Sequence, residues 1–373
     1  MSAGAPLLYL HLPFCAHRCG YCDFVTLVGR HERHGAYVAA LLAELDLERG
    51  LLADELETVF LGGGTPTYTE QGELGRLLRA LPPAEEVTVE ANPETVTPAL
   101  AAMLRASGVT RVSLGAQSFQ ANLLEVLERR AGPDAVRRAF YHLRDAGFDN
   151  ISLDLLYGIP GQSPSDLGRD LAEAIALGPE HLSCYELEAK PGTRFTFAHG
   201  DELARQAEAM EGYFELVVDS LVAAGYRWYE TANFCRPGRR ARHNLGYWLG
   251  RDYLGLGIGA VSTVGDLRWR NRPGLAGYVA ALEGGERPPR EEEPLEPEVL
   301  SRERLMLGLR LDEPVPLAAV AQALDRSALT RMERLGLAER RGEGLALTRR
   351  GRFLGGGVTA ELMAESPANV QFE

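Results

Sequence analysis

Short runs of strand-forming residues alternate with amphipathic helical stretches along the first part of this chain. The predicted strands are Leu7–Leu12, Thr58–Leu61, Val87–Glu90, Arg111–Leu114, Ile151–Leu156 and His181–Leu187. The predicted helices between them are Tyr37–Arg49, Glu70–Leu81, Pro98–Ala106, Ala121–Arg130 and Asp134–Ala146. Repeated strand–helix–strand units indicate βαβ units and a parallel sheet. Six such units favour a partial or full barrel over a short open sheet, so the predicted fold class is α/β.

The pattern changes in the second half of the chain. Glu202–Gly225 predicts one long helix and Arg227–Phe234 a further strand, whereas the Pro- and Glu-rich segment Arg287–Pro297 predicts a linker. From Glu298 onward, three helices and a hairpin outline a small winged-helix-like unit. We therefore predict a partial barrel over residues 1–235, a connecting segment over 236–297 and a C-terminal helical domain over 298–373.

Composition excludes several classes of protein. Hydrophobic residues make up 45% of the 373 residues, enough for a packed core, and the formal net charge is −13. A surface this acidic repels phosphate backbones, so we do not expect nucleic acid as a partner. No apolar run approaches the roughly 20 residues that cross a bilayer, and the N-terminal segment lacks a signal-peptide pattern. A cytoplasmic location is the expectation.

Three of the five cysteines, Cys15, Cys19 and Cys22, form a C-x3-C-x2-C cluster directly after the first predicted strand. Three thiolates can hold three irons of a cubane cluster, which leaves the fourth iron open to a small chelating molecule. Zinc is the alternative, but it takes four ligands, commonly from two cysteine pairs. Cys184 and Cys235 are isolated, so the spacing favours an iron–sulfur cluster.

The residues around these cysteines add to the motif. Tyr9, His11, Pro13, Phe14, Tyr21, Asp23 and Phe24 accompany it. Together they resemble the radical S-adenosylmethionine (SAM) superfamily and, within it, the coproporphyrinogen dehydrogenase-like branch. The resemblance covers nearly the whole chain. It implies a partial parallel (β/α) barrel, a [4Fe-4S] cluster on the three cysteines, and SAM bound beside it on the open iron.

The same resemblance implies a set of SAM-binding residues at successive strand ends. They are Tyr9, Tyr21, Gly63, Gly64, Thr65, Glu90, Gln117, Arg129 and Asp154. The glycines let a backbone approach a ligand, carboxylates suit ribose hydroxyls, and an arginine suits a carboxylate. Taken singly, each of these polar residues would sooner be read as a helix cap or a surface residue, and the glycines as a tight turn. Their shared position at strand ends favours one site.

Two functions compete within the branch: an oxygen-independent coproporphyrinogen III oxidase and a HemW-type heme chaperone. Phe24 stands where the oxidases show a further cysteine, and 14 residues precede Cys15 where the oxidases carry a longer extension. His243-Asn244-Leu245-Gly246-Tyr247-Trp248 matches the H-N-x-x-Y-W signature of the chaperones. The sequence therefore favours the chaperone and argues against oxidase activity.

This signature supplies the predicted heme residues, His243, Asn244, Tyr247 and Trp248. A neutral imidazole can ligate iron, and an indole offers a flat surface to a porphyrin. The alternative is that His243 caps a turn and the aromatic residues belong to the core. The resemblance further implies heme as cargo and a cytochrome-type acceptor protein, which could be membrane-bound. It also raises peripheral membrane association and a homodimer promoted by cluster loading.

Overall fold

A computed structural model describes residues 4–188, 190 and 192–364 of the protein. The parts of the predicted domains at residues 1–3, 189, 191 and 365–373 lie outside this range. Across the described residues, twelve strands form one sheet. They are β1 (Leu7–Leu12), β2 (Leu56–Gly63), β3 (Ala84–Ala91), β4 (Arg111–Gln117), β5 (Ile151–Tyr157), β6 (His181–Glu186), β7 (Arg227–Glu230), β8 (Asn233–Cys235), β9 (Tyr253–Leu256), β10 (Val261–Val264), β11 (Leu267–Asn271) and β12 (Arg290–Pro294).

The order of strands in this sheet is β12-β11-β10-β9-β1-β2-β3-β4-β5-β6-β8-β7. Strands β1 to β6 run parallel and follow the chain order, and β9 joins β1 in parallel. Antiparallel strands extend both ends of the parallel part. The six predicted parallel strands and the α/β class are confirmed.

Fourteen α-helices connect or cover these strands within the described residues. They are α1 (His34–Glu48), α2 (Gln71–Ala80), α3 (Pro98–Ala106), α4 (Ala121–Val126), α5 (Pro133–Asp145), α6 (Pro164–Leu177), α7 (Arg194–Gln206), α8 (Met210–Ala223), α9 (Arg242–Trp248), α10 (Leu275–Glu283), α11 (Pro297–Gly308), α12 (Arg326–Arg334), α13 (Arg349–Phe353) and α14 (Gly355–Leu362). Among the helices of this part of the chain, none combines the length and apolar character that crossing a membrane requires.

Alternation along the parallel strands explains the layered architecture. The side chains of Leu10, Val59, Val112 and Leu153 belong to the main apolar core, which they share with helices α1, α2, α3, α5 and α6. The intervening strand positions carry polar residues that register across the sheet, as Ser113 does with Ser152. Because successive side chains of a strand point to opposite faces, the helix-covered face is apolar and the other face is polar.

Three predicted elements of the second half differ in the structure. The expected strand Arg227–Phe234 is a hairpin of β7 and β8. The expected helix Glu202–Gly225 is two helices, α7 and α8, separated by a 3-10 turn at Ala207–Ala209. The expected linker Arg287–Pro297 contains β12, whose charged, exposed sequence suits an edge strand. Residues 236–297 therefore extend the sheet and are not merely a connecting segment.

The last part of the described chain builds its own apolar core. Leu305 of α11, Leu329 of α12 and Leu345 pack there with neighbouring aliphatic side chains. Its small sheet joins Val315–Pro316 to the hairpin of Ala338–Arg341 and Gly344–Leu347. The hairpin lies where the sequence predicts it, whereas the middle predicted helix, Leu317–Ala323, is a 3-10 turn over Leu317–Val320.

Candidate functional site

A cavity of about 550 Å³ lies at the carboxyl ends of the parallel strands, and we call it the strand-end cavity. Carboxyl ends of parallel strands meet at one edge, which is why residues far apart in sequence converge there. Eleven of the residues predicted from the cysteine motif and the SAM pattern line it: Cys15, Cys19, Cys22, Tyr21, Gly63, Gly64, Thr65, Glu90, Gln117, Arg129 and Asp154.

The cysteine loop begins at Cys15, which ends a two-residue strand, Phe14–Cys15, paired with Leu27–Val28. Burial raises the pKa of the Cys15 thiol to about 11, and its Sγ lies 3.4 Å from Thr65 Oγ1. The thiol is therefore protonated until a positively charged partner binds and displaces the proton. Cysteine side chains suit an iron–sulfur cluster as ligands, because its irons bind thiolates.

The other two cysteines of the chain lie away from the three cysteines of the motif. Cys184 and Cys235 lie buried in strands β6 and β8, and neither lines the strand-end cavity. The three clustered thiols therefore have no fourth cysteine beside them, as a cluster with one open iron requires.

The glycine segment after β2 brings its backbone close to the cysteine loop. Gly63 has a φ of 108°, and a Cβ there would fall 2.4 Å from the His11 ring. A Cβ on Gly64 would fall 2.6 Å from the backbone of Pro13. Only glycine fits at either position, which explains the Gly-Gly-Gly sequence. The Gly63 N–H donates to Glu90 Oε2 at 3.1 Å and so anchors the segment to β3.

Two partly buried carboxyl groups, those of Glu90 and Asp154, lie in the lining of the strand-end cavity. Burial, and then the nearby Asp154, raise the pKa of Glu90 to about 7. Burial also raises the pKa of Asp154, whose oxygens accept hydrogen bonds from Ser113. Arg111, 2% exposed, favours the ionised form of both carboxyl groups, and its Nε has no hydrogen-bond partner among the described residues. Such a lining can bind hydroxyl groups and cations.

The Arg129 side chain lies in the cavity wall, with its guanidinium directed toward the cysteines. Its Nη2 donates to Asn92 Oδ1 at 2.9 Å and to the Gly115 carbonyl at 3.0 Å, while its Nη1 lies 3.9 Å from Cys19 Sγ. A guanidinium in this position can balance the negative charge of thiolates or pair with a ligand carboxylate. Gln117 adopts a left-handed φ of 66° at the end of β4, and such strain is common at binding sites.

Several lining residues are missing from the sequence prediction. They include Asn92, Arg111, Ser113 and Ser183, which all line the strand-end cavity. Asn92 also donates to Thr65 Oγ1 at 2.9 Å and thus joins the glycine segment to Arg129. Asn92 directly follows a predicted strand, and Arg111 is a charged residue at the start of one. A polar residue at the start of a predicted strand, or just after its end, is the sequence signal that could have identified them.

Tyr9 lies elsewhere than the SAM pattern predicts. It lines a second cavity of about 560 Å³, which we call the edge cavity. The edge cavity is lined by Tyr9, His11, Asp23, Phe24, Val25, Tyr247, Trp248, Gly250, Arg251, Tyr253, Gly259, Ala260, Val261, Thr263, Arg268, Arg270, Leu300, Glu303, Arg304 and Leu307. Asp23 and Phe24 line both cavities, so the segment after Cys22 separates them.

His243, predicted as a heme ligand, lies in the core of the protein in this structure. His243 is 1% exposed and lines neither cavity. Its Nδ1 lies 2.7 Å from Thr58 Oγ1 and its Nε2 lies 2.8 Å from the Tyr247 hydroxyl, so both ring nitrogens are engaged. Burial, with a smaller effect of Arg111, lowers the pKa of His243 to about 3. His243 is a neutral core residue that holds α9 against β2.

The rest of the predicted heme motif divides between the two cavities. Asn244 lines the strand-end cavity, whereas Tyr247 and Trp248 line the edge cavity. The spacing of four residues does place Tyr247 on the same helix face as His243, as expected from the sequence.

Comparison with known proteins agrees with this geometry. The model of the radical SAM superfamily matches residues 9–174, and that of the HemN C-terminal domain matches residues 295–354. The chain is 38% identical over 368 residues to the heme chaperone HemW of Mycobacterium tuberculosis (strain ATCC 25618 / H37Rv), covering 95% of this chain and 94% of that protein. It is 32% identical over 375 residues to the heme chaperone HemW of Bacillus subtilis (strain 168), covering 96% and 99%.

A solved structure extends the comparison to the fold. Coproporphyrinogen III oxidase (HemN) from Escherichia coli, described as a radical SAM enzyme, superposes with a TM-score of 0.82. The two chains share 24% sequence identity, and the match covers 96% of this chain and 90% of that one. The likeness establishes the same fold for the barrel and the C-terminal unit.

Proposed function

The chain belongs to the HemW family of the radical SAM superfamily, and from that premise we propose that it is a heme chaperone that binds heme and passes it to an acceptor protein. One observation supports this above all others: the similarity to the heme chaperones of Mycobacterium tuberculosis and Bacillus subtilis extends over 94% and 99% of their length. Phe24, in place of the additional cysteine expected of the oxidases, points the same way.

We further propose that Cys15, Cys19 and Cys22 hold a [4Fe-4S] cluster. In support, all three line one cavity, and Arg129 stands beside them with a guanidinium that offsets thiolate charge. A cluster bound there would supply one-electron chemistry to a molecule on its open iron.

For SAM, we propose the remaining residues of the strand-end cavity. Gly63, Gly64 and Thr65 offer backbone groups close to the cysteine loop. Glu90 and Asp154 offer partly buried carboxyl groups for amine or hydroxyl donors. Arg129 offers a cation for the SAM carboxylate, with Gln117 and Tyr21 completing the lining. Tyr9, the remaining member of the set predicted from the sequence, lines the edge cavity.

The proposed function is tested with anaerobically reconstituted protein and hemin. Titration should produce a saturable Soret shift, and addition of an apo-b-type cytochrome, as a generic acceptor, should transfer the heme to it. Absence of saturable hemin binding would contradict the proposal. So would conversion of coproporphyrinogen III to protoporphyrinogen in the presence of SAM and a reductant, since that would identify an oxidase.

A further inference from the structure

The edge cavity lies outside the site formed by the cysteine motif, at the side of the sheet where β9, β10 and β11 extend it. Its floor is formed by these strands together with β1, and its other wall is formed by α11 from the C-terminal unit. Its volume of about 560 Å³ falls within the range of sites for small molecules and cofactors.

Helix α11 presents a separate face to this cavity. The lining residues Leu300, Glu303, Arg304 and Leu307 are spaced three or four residues apart, so they share one side of the helix. Leu305 on the other side packs into the C-terminal core. The cavity-facing side therefore includes two leucines, Leu300 and Leu307, that are not part of that core.

Aromatic side chains supply most of the remaining apolar surface. Tyr247 and Trp248 at the end of α9 lie beside Tyr9 and Tyr253, and Phe24 lies 64% exposed near the entrance. The rings of Tyr247 and Tyr253 meet edge to face, with centroids 4.7 Å apart. Such a surface suits a large, flat, apolar ligand.

The charges of the cavity are unevenly paired. Of its four arginines, Arg251 pairs with Glu57, and Arg268 pairs with Glu303 at 2.7 Å. Arg270 and Arg304 form no ion pair with any residue that the structure describes. Arg268 and Arg270 are two positions apart in β11, so both point to the cavity face, while Trp269 between them is buried on the other. Arg304 Nη2 donates to the Gly250 carbonyl at 3.4 Å. The cavity thus offers two cations that have no carboxylate partner among the described residues.

We propose that heme binds in the edge cavity, with its macrocycle against the aromatic side chains and its two propionates at Arg270 and Arg304. This inference rests on the proposed chaperone function and adds the location of the cargo. A flat apolar ring with two carboxylates matches an aromatic cavity with two unpaired arginines in shape and in charge. A separate cavity also keeps the heme apart from the strand-end residues proposed for SAM.

The test compares hemin with hemin dimethyl ester, in which the two carboxylates are blocked. Wild-type protein should bind hemin about tenfold more tightly than the ester, because charge-assisted contacts to the arginines are lost. In the double variant Arg270→Gln/Arg304→Gln, hemin affinity should fall about tenfold while ester affinity stays within about twofold, so that the preference disappears. Absorbance titration at the Soret band measures all four affinities.

Arg272→Gln provides the matched control. Arg272 lies just beyond β11 and outside the cavity lining, so this variant should keep the wild-type preference for hemin. Thermal unfolding of the variants checks that these three exposed arginines are replaced without loss of the fold. If the double variant retains the preference while wild type binds hemin saturably, the location is wrong and the chaperone function stands. If wild type does not bind hemin saturably, the proposed function itself fails.

Discussion

The strand-end cavity and the edge cavity are nearly equal in volume, about 550 and 560 Å³, yet they differ in chemistry. The first has the more polar lining, which includes the partly buried carboxyl groups of Glu90 and Asp154 and the buried guanidinium of Arg111. The second is aromatic, and its free arginines lie toward solvent. A polar lining suits SAM and a cluster, whereas an aromatic lining suits a porphyrin.

The origin of the two cavities explains this difference. Successive βα units build the strand-end cavity, so its residues come from one repeated structural position. The edge cavity forms where the far end of the sheet meets a helix of the C-terminal unit, so its residues share no common structural position. The chemistry of the strand-end cavity therefore depends on the residues at the strand ends, whereas that of the edge cavity depends on how the helix of the C-terminal unit packs against the sheet.

The largest effect is expected from a change confined to the strand-end cavity. Replacing Cys15, Cys19 and Cys22 together with alanine should abolish cluster binding, because no thiolate ligands remain for iron. Iron and acid-labile sulfide after anaerobic reconstitution should fall to background. Hemin affinity should stay within about threefold of wild type, because the edge cavity keeps its lining.

Cys235→Ala is the control for this experiment. Cys235 is buried in β8 away from both cavities, so its replacement should leave the iron content unchanged. A loss of hemin binding of tenfold or more in the triple variant would show that the cluster loop, through Asp23 and Phe24, controls the edge cavity. The two cavities would then have to be treated as one site.

The different origins of the two cavities also determine how much of each can be predicted from the sequence. The strand-end residues are predictable because the carboxyl ends of parallel strands converge whatever lies between them. Tyr9 shows the limit of this reasoning, since it belongs to β1 but lies on the side of the edge cavity. Arg270 and Arg304 belong to no sequence motif, and only the packing of β11 against α11 brings them to one cavity.

The fold is predictable to a similar extent. Apolar runs identify β1 to β6 because these strands are buried by helices on one face. Strand β12 escapes the prediction because its sequence, Arg-Glu-Glu-Glu-Pro, is that of a solvated edge and resembles a linker. Nothing in the local sequence around His243 shows that Thr58, far away in the chain, engages its second ring nitrogen.

His243 gives the second prediction. His243→Ala should lower the free energy of unfolding by about 3 kcal/mol, because it leaves a cavity in the core and removes the partner of the buried Thr58 hydroxyl and of the partly buried Tyr247 hydroxyl. Hemin affinity should stay within about twofold, since the imidazole is not exposed to the edge cavity. Urea unfolding and Soret titration measure the two effects.

His31→Ala serves as the comparison, because His31 lies exposed at the surface and its loss should change stability by at most about 0.5 kcal/mol. A folded His243→Ala protein whose hemin affinity has dropped tenfold or more would restore this histidine as a heme ligand. The distinction between the cavities would then need a third site around α9.

The last expected effect depends on pH and concerns the partly buried carboxyl group of Glu90. Its pKa of about 7 in the folded protein lies above its ordinary value of 4.5, so the folded state binds the proton more tightly than the unfolded state. The stability that this proton contributes is present in full below pH 4.5 and is lost as the pH rises through 7. Glu90→Gln removes that dependence and can still accept the hydrogen bond from the Gly63 N–H.

Between pH 5 and pH 8, the cluster-free wild-type protein should therefore lose up to about 3 kcal/mol more stability than cluster-free Glu90→Gln. Urea unfolding at several pH values measures the difference between the two proteins, in which contributions common to both cancel. Parallel pH profiles would show that Glu90 is hydrated or paired in the folded state. Glu90 would then carry no proton in the folded protein at neutral pH. The difference in chemistry between the strand-end cavity and the edge cavity, with its solvent-facing arginines, would be smaller than the structure indicates.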